Sequence, residues 1–411
     1  MELVPPDFIS RPLYLSRITP YMRTPLIKVL TGPRQVGKSY MMFQIMDQIL
    51  QEDDNPNIIY INLESMAHRA LQDEESLYSC IMQQLKENRR NYIFIDEVQQ
   101  VENGWKALLS LRLNAKNDIY VTGSNADLFS GDIANALGAR YIKIQINSLS
   151  FNEFLVFHNL PNTVESLEKY ERFGGLPYLK YLNLDRPQEV ENYILNAYNA
   201  TLYRDVIARN HLKNSNFISQ LADYLADNVG SLFSVKSISD HMKNLQINVS
   251  QTLISDYLNA LVNAFIVLEV KRYNIVGKRL FERIGKYYFE NLGVRNSLVG
   301  YRKDDRGKRM ENLVFNHLRC CEFTVMVGEV AGYEIDFICK RGVETLYIQV
   351  ASELTNPETV AREFGNLLEI KDHHPKIVVS GEAEFHSPYP EVKHLYLRDF
   401  LCDEMTPYYQ G

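Results

Sequence analysis

The stretch TGPRQVGKSY, Thr31–Tyr40, carries the most specific pattern in the chain. It follows the apolar run LIKVL (26–30) and precedes the helical pattern MMFQIMDQIL (41–50). Glycine and proline alone would account for a turn. The spacing is more specific, because Gly32, four intervening residues and then Gly37-Lys38-Ser39 fit a nucleotide phosphate-binding loop at every fixed position. In such a loop successive backbone N–H groups point inward as an anion nest, and the next helix aims its positive end at the phosphates. Glycines are required because a side chain would block that approach or forbid the backbone angles. Gly32, Pro33, Arg34, Gln35, Val36, Gly37, Lys38, Ser39 and Tyr40 are therefore the expected phosphate-binding stretch. Lys38 is expected to reach the β- and γ-phosphates of ATP, and the Ser39 hydroxyl to sit on Mg²⁺.

Outward from the loop, residues 26 to about 146 alternate short apolar runs with amphipathic stretches. That alternation predicts a mostly parallel sheet covered by helices on both faces, an α/β fold. Strands are expected at 26–30, 57–63, 91–95, 118–122 and 141–146. YIFIDE, Tyr92–Glu97, reads as a buried strand ending in two carboxylates, at the edge where such sheets bind ligands. Asp96 is expected to hold Mg²⁺ and Glu97 to polarise the attacking water. Carboxylates at a helix N-terminus are the plainer account of the same letters. The next strand runs into GSNAD, placing Thr122, Ser124 and Asn125 at its tip. There Asn125 either senses the γ-phosphate or holds the water, or else these residues cap the following helix.

The bulk composition sets limits on this reading. A chain of 411 residues implies two or three domains, and 45% hydrophobic with 23% charged residues is a soluble globular composition. A net charge of −7 argues against a protein wrapped in nucleic acid over its whole surface, while leaving room for a local basic face. The five cysteines lack CxxC or metal-like spacing and read as reduced thiols. MELVPPDFIS shows no basic region followed by an apolar run, and no segment is apolar for long enough to cross a bilayer. The expectation is a cytoplasmic protein without a membrane partner.

GPRQVGKS, IFIDEVQ, VTGSNADLF, LGARY and SLSFNEFL, in this order, resemble prokaryotic AAA-superfamily ATPases whose C-terminal half is a domain of unknown function. FGGLP (173–177) and GYEIDF (332–337) extend the resemblance over nearly the whole chain. It implies an AAA-type core with an extra strand between the phosphate-loop strand and the DE strand, and it implies ATP binding and hydrolysis. Arg140, in LGARY, matches an arginine common in that family, at a distance from Asn125 like that of an arginine finger. Its plainer reading is a cation at a helix C-terminus, and a finger acting in trans requires a neighbouring subunit.

The expected domains are an AAA-type P-loop ATPase domain at 1–150, a helical linker at 151–214, a winged helix at 215–275 and a degenerate restriction-endonuclease-like α/β domain at 276–411. SISDHMKN followed by NVSQTLISDYLNALVN reads as two helices in a DNA-reading order. The second offers Gln251, Thr252, Ser255 and Asn259, but also Asp256 and no Lys or Arg. The segment after it contributes Lys271, Arg272, Lys278, Arg279, Arg283 and Lys286 among Tyr273, Phe281, Tyr287 and Tyr288. Residues 236–286 are thus a candidate DNA-binding region, against the plainer use of packing on a protein partner or another domain. In the last domain Glu311, Asp336 and the strand TLYIQVA resemble a nuclease core that needs an E-x-K triplet, yet the triplet here is Gln349-Val350-Ala351. An amide is a poor hard-metal ligand and alanine cannot activate water, so nuclease chemistry is not expected unless Lys340 or Glu353 substitutes.

The function expected from all this is an ATP-binding, ATP-hydrolysing nucleotide switch, acting alone or as a homo-oligomer or with a protein partner. A nucleotide-stabilised scaffold with negligible turnover is the rival from another class.

Overall fold

The computed structural model describes residues 4–5, 8–129 and 131–403, apart from the side chains at 128, 129, 132, 282 and 283. Two compact units emerge, Met1–Asn147 with Asn263–Phe265, and Ser148–Val262 with Ile266–Gly411. In the first, five strands form one sheet: β1 (Ile27–Thr31), β2 (Asn57–Asn62), β3 (Asn91–Asp96), β4 (Asn117–Gly123) and β5 (Tyr141–Gln145). Their order is β2-β3-β4-β1-β5 and every pairing is parallel. β4 is therefore the strand inserted between the phosphate-loop strand and the DE strand, as the family resemblance implied.

The continuous apolar runs exist because both faces of the sheet are covered. Alternate residues of each strand serve opposite faces. Ile93, Ile95, Ile119 and Val121 pack on one side, while Tyr92, Phe94 and Tyr120 face the other. The helix Lys38–Glu52 presents Met41, Met42, Ile45, Met46 and Ile49 to that second side, all fully buried. Each such side chain removed from water contributes roughly 1.5–3 kcal/mol. That anchoring fixes the start of the helix, and hence the phosphate loop, against the sheet.

The second unit begins with the helices Phe151–His158, Val164–Phe173 and Pro187–Thr201, the last continued by a π-helical segment, Leu202–Ala208. The helices Ser215–Asp227, Val235–Asn244 and Gln251–Asn263 follow, then β6 (Val267–Asn274) and β7 (Arg279–Phe289), an antiparallel pair. After the helices Leu292–Val299 and Arg306–Cys320 come β8 (Thr324–Val330), β9 (Tyr333–Arg341), β10 (Glu344–Ala351), the helix Pro357–Leu368, β11 (Lys376–Ser380) and β12 (Lys393–Tyr396).

Seven strands make one mixed sheet, β12-β11-β10-β9-β8-β6-β7. The expected boundary between 275 and 276 falls in the turn of the β6–β7 hairpin. The hairpin does not end a separate domain there, because Arg272, Tyr273 and Asn274 pair in parallel with Val327, Gly328 and Glu329 of β8. No helix among the described residues is long and apolar enough to cross a membrane.

Candidate nucleotide site

Gly32 follows β1 directly, and a Cβ there would stand 2.0 Å from the Ile146 carbonyl oxygen, so only glycine fits. Gly37, with φ +90°, takes the left-handed turn that starts the Lys38–Glu52 helix. No side chain caps that helix start. The N-cap glycine brings no side chain of its own to the first N–H groups, and such a helix start favours an anion. Lys38 is buried, and its Nζ donates to the carbonyls of Gly32 (3.1 Å) and Pro33 (2.6 Å) while lying 3.8 Å from Glu97 Oε1.

β3 delivers the carboxylates. Asp96 is its last residue and is 2% exposed. Burial pushes its carboxyl above the ordinary range, while hydrogen bonds from Ser39 and Thr122 work the other way. Tyr60 donates to Asp96 Oδ2 at 3.2 Å. Glu97 adopts φ 61°, ψ 51°, a left-handed conformation unusual for a non-glycine residue. Burial would raise its pKa, but the charges of Lys38 and Arg34, with hydrogen bonds from Gln99 and Ser124, outweigh burial and hold it below the ordinary value. Glu97 is thus an ionised acceptor at neutral pH.

Thr122, near the end of β4 and fully buried, ties the two acids together. Its hydroxyl donates to Asp96 Oδ1 and accepts the Glu97 N–H at 2.8 Å. Gln99 donates its amide to Glu97 Oε2 and to Ser124 Oγ, the latter at 3.1 Å. Lys38, Ser39, Asp96 and Glu97, predicted from separate motifs, therefore converge at the C-terminal ends of β1, β3 and β4.

The remaining expected residues divide. Asn125 Oδ1 accepts the Asp127 N–H at 2.9 Å, the local cap that was one of its two readings. Tyr40 lies on the first helical turn, 45% exposed, edge-on to Phe43. Arg140 is not in its own chain's site. It immediately precedes β5, and its carbonyl accepts the Ile27 N–H at 3.0 Å, at the start of β1. The phosphate loop leaves the other end of β1, a strand length of about 17 Å away.

One residue of the expected loop contributes through its side chain as well, and one contributor was missed in the sequence. Arg34 Nη1 pairs with Glu64 Oε1 at 3.0 Å, just beyond β2, so a loop side chain as well as the loop amides brings charge toward Glu97. Arg11, 2% exposed, donates to the Val36 carbonyl (2.9 Å) and the Asn147 carbonyl (3.0 Å), and so braces the back of the loop. Nothing in the sequence around Arg11 marks it, since its partners lie 25 and 136 residues away.

In the second unit, Gln251, Thr252, Asp256 and Asn259 are exposed on the helix Gln251–Asn263, with Ser255 half-buried. Lys271, Lys278 and Arg279 are exposed, and the guanidiniums of Arg272 and Arg279 lie over the Phe281 ring at 5.4 and 5.7 Å. The Arg283 side chain lies outside the described residues. Lys286, Tyr287 and Tyr288 are buried and belong to no DNA-facing surface, because β7 turns them into the core. Lys340 does not join Asp336. It lies over the Tyr273 ring at 5.0 Å, and Glu353 is exposed.

A family model described as an AAA domain matches residues 24–155, and one described as Domain of unknown function (DUF8612) matches residues 164–305. An uncharacterized protein of Haemophilus influenzae is 34% identical over 399 residues, 96% of this chain and 98% of its own length. An uncharacterized protein of Methanocaldococcus jannaschii is 29% identical, covering 81% of this chain and 76% of that protein. Among solved structures, the Aeropyrum pernix ORC1 protein in complex with DNA is 13% identical, covers 72% of this chain and 94% of that one, and superposes with a TM-score of 0.33.

Proposed function

Because the chain belongs to the family that joins an AAA domain to this C-terminal domain of unknown function, we propose that it binds Mg-ATP and hydrolyses it as a nucleotide-dependent switch. The observation that carries the proposal is the convergence of Lys38, Ser39, Asp96 and Glu97 at the ends of adjacent parallel strands. The Ser39 hydroxyl and Asp96 carboxylate, already hydrogen-bonded to each other, are hard oxygen donors of the kind Mg²⁺ takes. Bound with ATP, that ion would neutralise phosphate charge.

The chain's own groups do the rest. Loop amides and the helix N-terminus hold the phosphates, and Lys38 supplies a point charge. Glu97, kept ionised and aimed by its left-handed backbone, Gln99 and the Thr122 contact, accepts a proton from or orients the attacking water. Arg34 adds a cation in cis at the side where Glu64 holds it. Arg140 can serve only a neighbouring copy.

Nucleotide state is then passed to the second unit. There the exposed face of the helix Gln251–Asn263 and the tip of the β6–β7 hairpin, with Lys271, Lys278 and Arg279, are the surface offered to DNA. The test is Glu97→Gln, which should retain Mg-ATP while its steady-state hydrolysis drops roughly 100-fold. A wild-type protein that binds ATP without measurable turnover, indistinguishable from this variant, would leave the scaffold role instead.

A further inference from the structure

β7 carries Lys286 into the interior of the second unit, where its side chain is 2% exposed. Its ammonium nitrogen lies 2.8 Å from Glu311 Oε1, 2.8 Å from Glu334 Oε1 and 3.5 Å from Asp336 Oδ1. The carboxylates come from the Arg306–Cys320 helix and from β9. Around them the polar contacts continue. Tyr288 donates to Glu311 Oε1 at 2.6 Å, and the Val350 N–H donates to Asp336 Oδ2 at 2.9 Å. Gln349, standing where the nuclease-like triplet would place an acid, turns its Oε1 to the Asp336 N–H at 3.1 Å.

Carboxylate oxygens gathered on one point are how proteins bind a hard divalent ion, at roughly 2.0–2.6 Å. Here a nitrogen stands at that point, with three N–H donors for three acids. A lysine that served an ion-bound water would stand beside the ion, with the acids collected on the ion. Instead the acids collect on the lysine itself. Acids crowded together in the interior either take up protons or pair with a cation; burial and the Glu311 charge push the Asp336 carboxyl up to about 8, and the Lys286 ammonium works the other way. Burial works against the charge on Lys286, but the surrounding Glu311, Asp336 and Glu334 outweigh it and raise its pKa, so it stays an ammonium. Among the described residues, no group of three or more His, Cys, Asp and Glu side chains is arranged to hold a metal ion.

We propose that Lys286 is the resident cation of this centre: its ammonium occupies the place of a divalent ion, making the nuclease-like domain metal-free by construction. Its acids become a divalent-ion site only once Lys286 is removed. The inference stands apart from the ATPase reading, because the centre shares no residue with the phosphate loop.

The experiment uses the full chain without nucleotide and Mn²⁺ as the probe, with bound ions counted by electron paramagnetic resonance. Wild type and Asp336→Asn should bind the same number of ions. Lys286→Met should bind one more, and the double variant Lys286→Met/Asp336→Asn should lose that ion again. The Tm of Lys286→Met, lowered in EDTA, should rise on adding Mn²⁺ while that of wild type stays put. An ion bound by wild type and lost in Asp336→Asn would overturn the proposal, and so would a folded Lys286→Met that gains none. If Lys286→Met fails to fold, the wild-type and Asp336→Asn counts still decide, equal counts supporting the proposal and unequal counts refuting it.

Discussion

Lys38 and Lys286 each face carboxylates, but one sits at the start of a helix behind a loop and the other in the middle of a strand. Lys38 is held by the Gly32 and Pro33 carbonyls and stands 3.8 Å from Glu97, a loose pairing at a helix start whose N-cap is a glycine. Lys286 is clamped at 2.8 Å by two glutamates with an aspartate behind them. The side-chain chemistry is nearly the same. What differs is where the backbone turns. At a strand end opening into a glycine loop the lysine is held mainly by backbone carbonyls with an acid at a distance, whereas in the strand interior it is taken up in close ion pairs. The first arrangement suits a ligand that arrives and leaves, and the second suits a fixed core.

The comparison breaks most directly at Lys38. Lys38→Ala removes the lysine proposed to face the phosphates, and Mg-ATP affinity or turnover should fall at least tenfold, about 1.4 kcal/mol. A folded variant with an unchanged ATP titration and rate would remove the loop from the mechanism. A smaller loss, roughly threefold to tenfold in turnover, is expected for Arg34→Ala, since Arg34 is a partly solvated second cation acting through Glu97. Single-turnover kinetics equal to wild type would show that the Arg34–Glu64 pair only shapes the loop.

Acid stability should separate the two regions by degrees of Tm rather than decades of rate. His317, on the same helix as Glu311, is buried with Nε2 2.8 Å from the Asp403 carbonyl, and burial depresses its pKa from 6.5 to about 4. The unfolded chain therefore binds this proton more readily, so stability falls as pH drops from 6.5 toward about 4. His317→Gln should flatten that part of the Tm–pH curve, and parallel curves for variant and wild type would assign the acid sensitivity elsewhere.

The smallest expected effect is none at all. With Lys286 consumed by its acids, purified protein should not cut plasmid, linear or single-stranded DNA with Mg²⁺ or Mn²⁺, with or without ATP. Cutting that persists on purification and vanishes in Asp336→Ala would restore the nuclease reading, and cutting that survives Asp336→Ala would mark contamination.

Much of the first unit was legible because its signals are local. The five expected strands recur with ends shifted by a residue or so, since continuous apolar runs between helical patterns follow from a sheet covered on both faces. The Asp96-Glu97 pair was legible for a related reason, as parallel strands put their C-terminal ends on one edge. The second unit was harder to read. KRYNIVGKRLFERIGKYY suggested one basic surface, but a strand sends alternate residues to opposite faces, and Lys286 shares its face with buried Tyr288. That two-residue spacing, beside an apolar run, was the available hint that Lys286 points inward.

The phosphate loop, the acidic strand end and the parallel α/β class can be read from the residues alone, because each is set by a few contiguous residues and the strand or helix period. Which long-range partners the charged groups take depends on how the chain folds back on itself. Thr122 bridges Asp96 and Glu97 from a neighbouring strand, Arg140 lands at the far end of β5, and Lys286 meets Glu311 across 25 residues of chain. Such pairings depend on strand order and on where a helix crosses the sheet. A buried charge takes whichever opposite charge the fold brings within about 3 Å, since desolvation makes an unpaired one so costly.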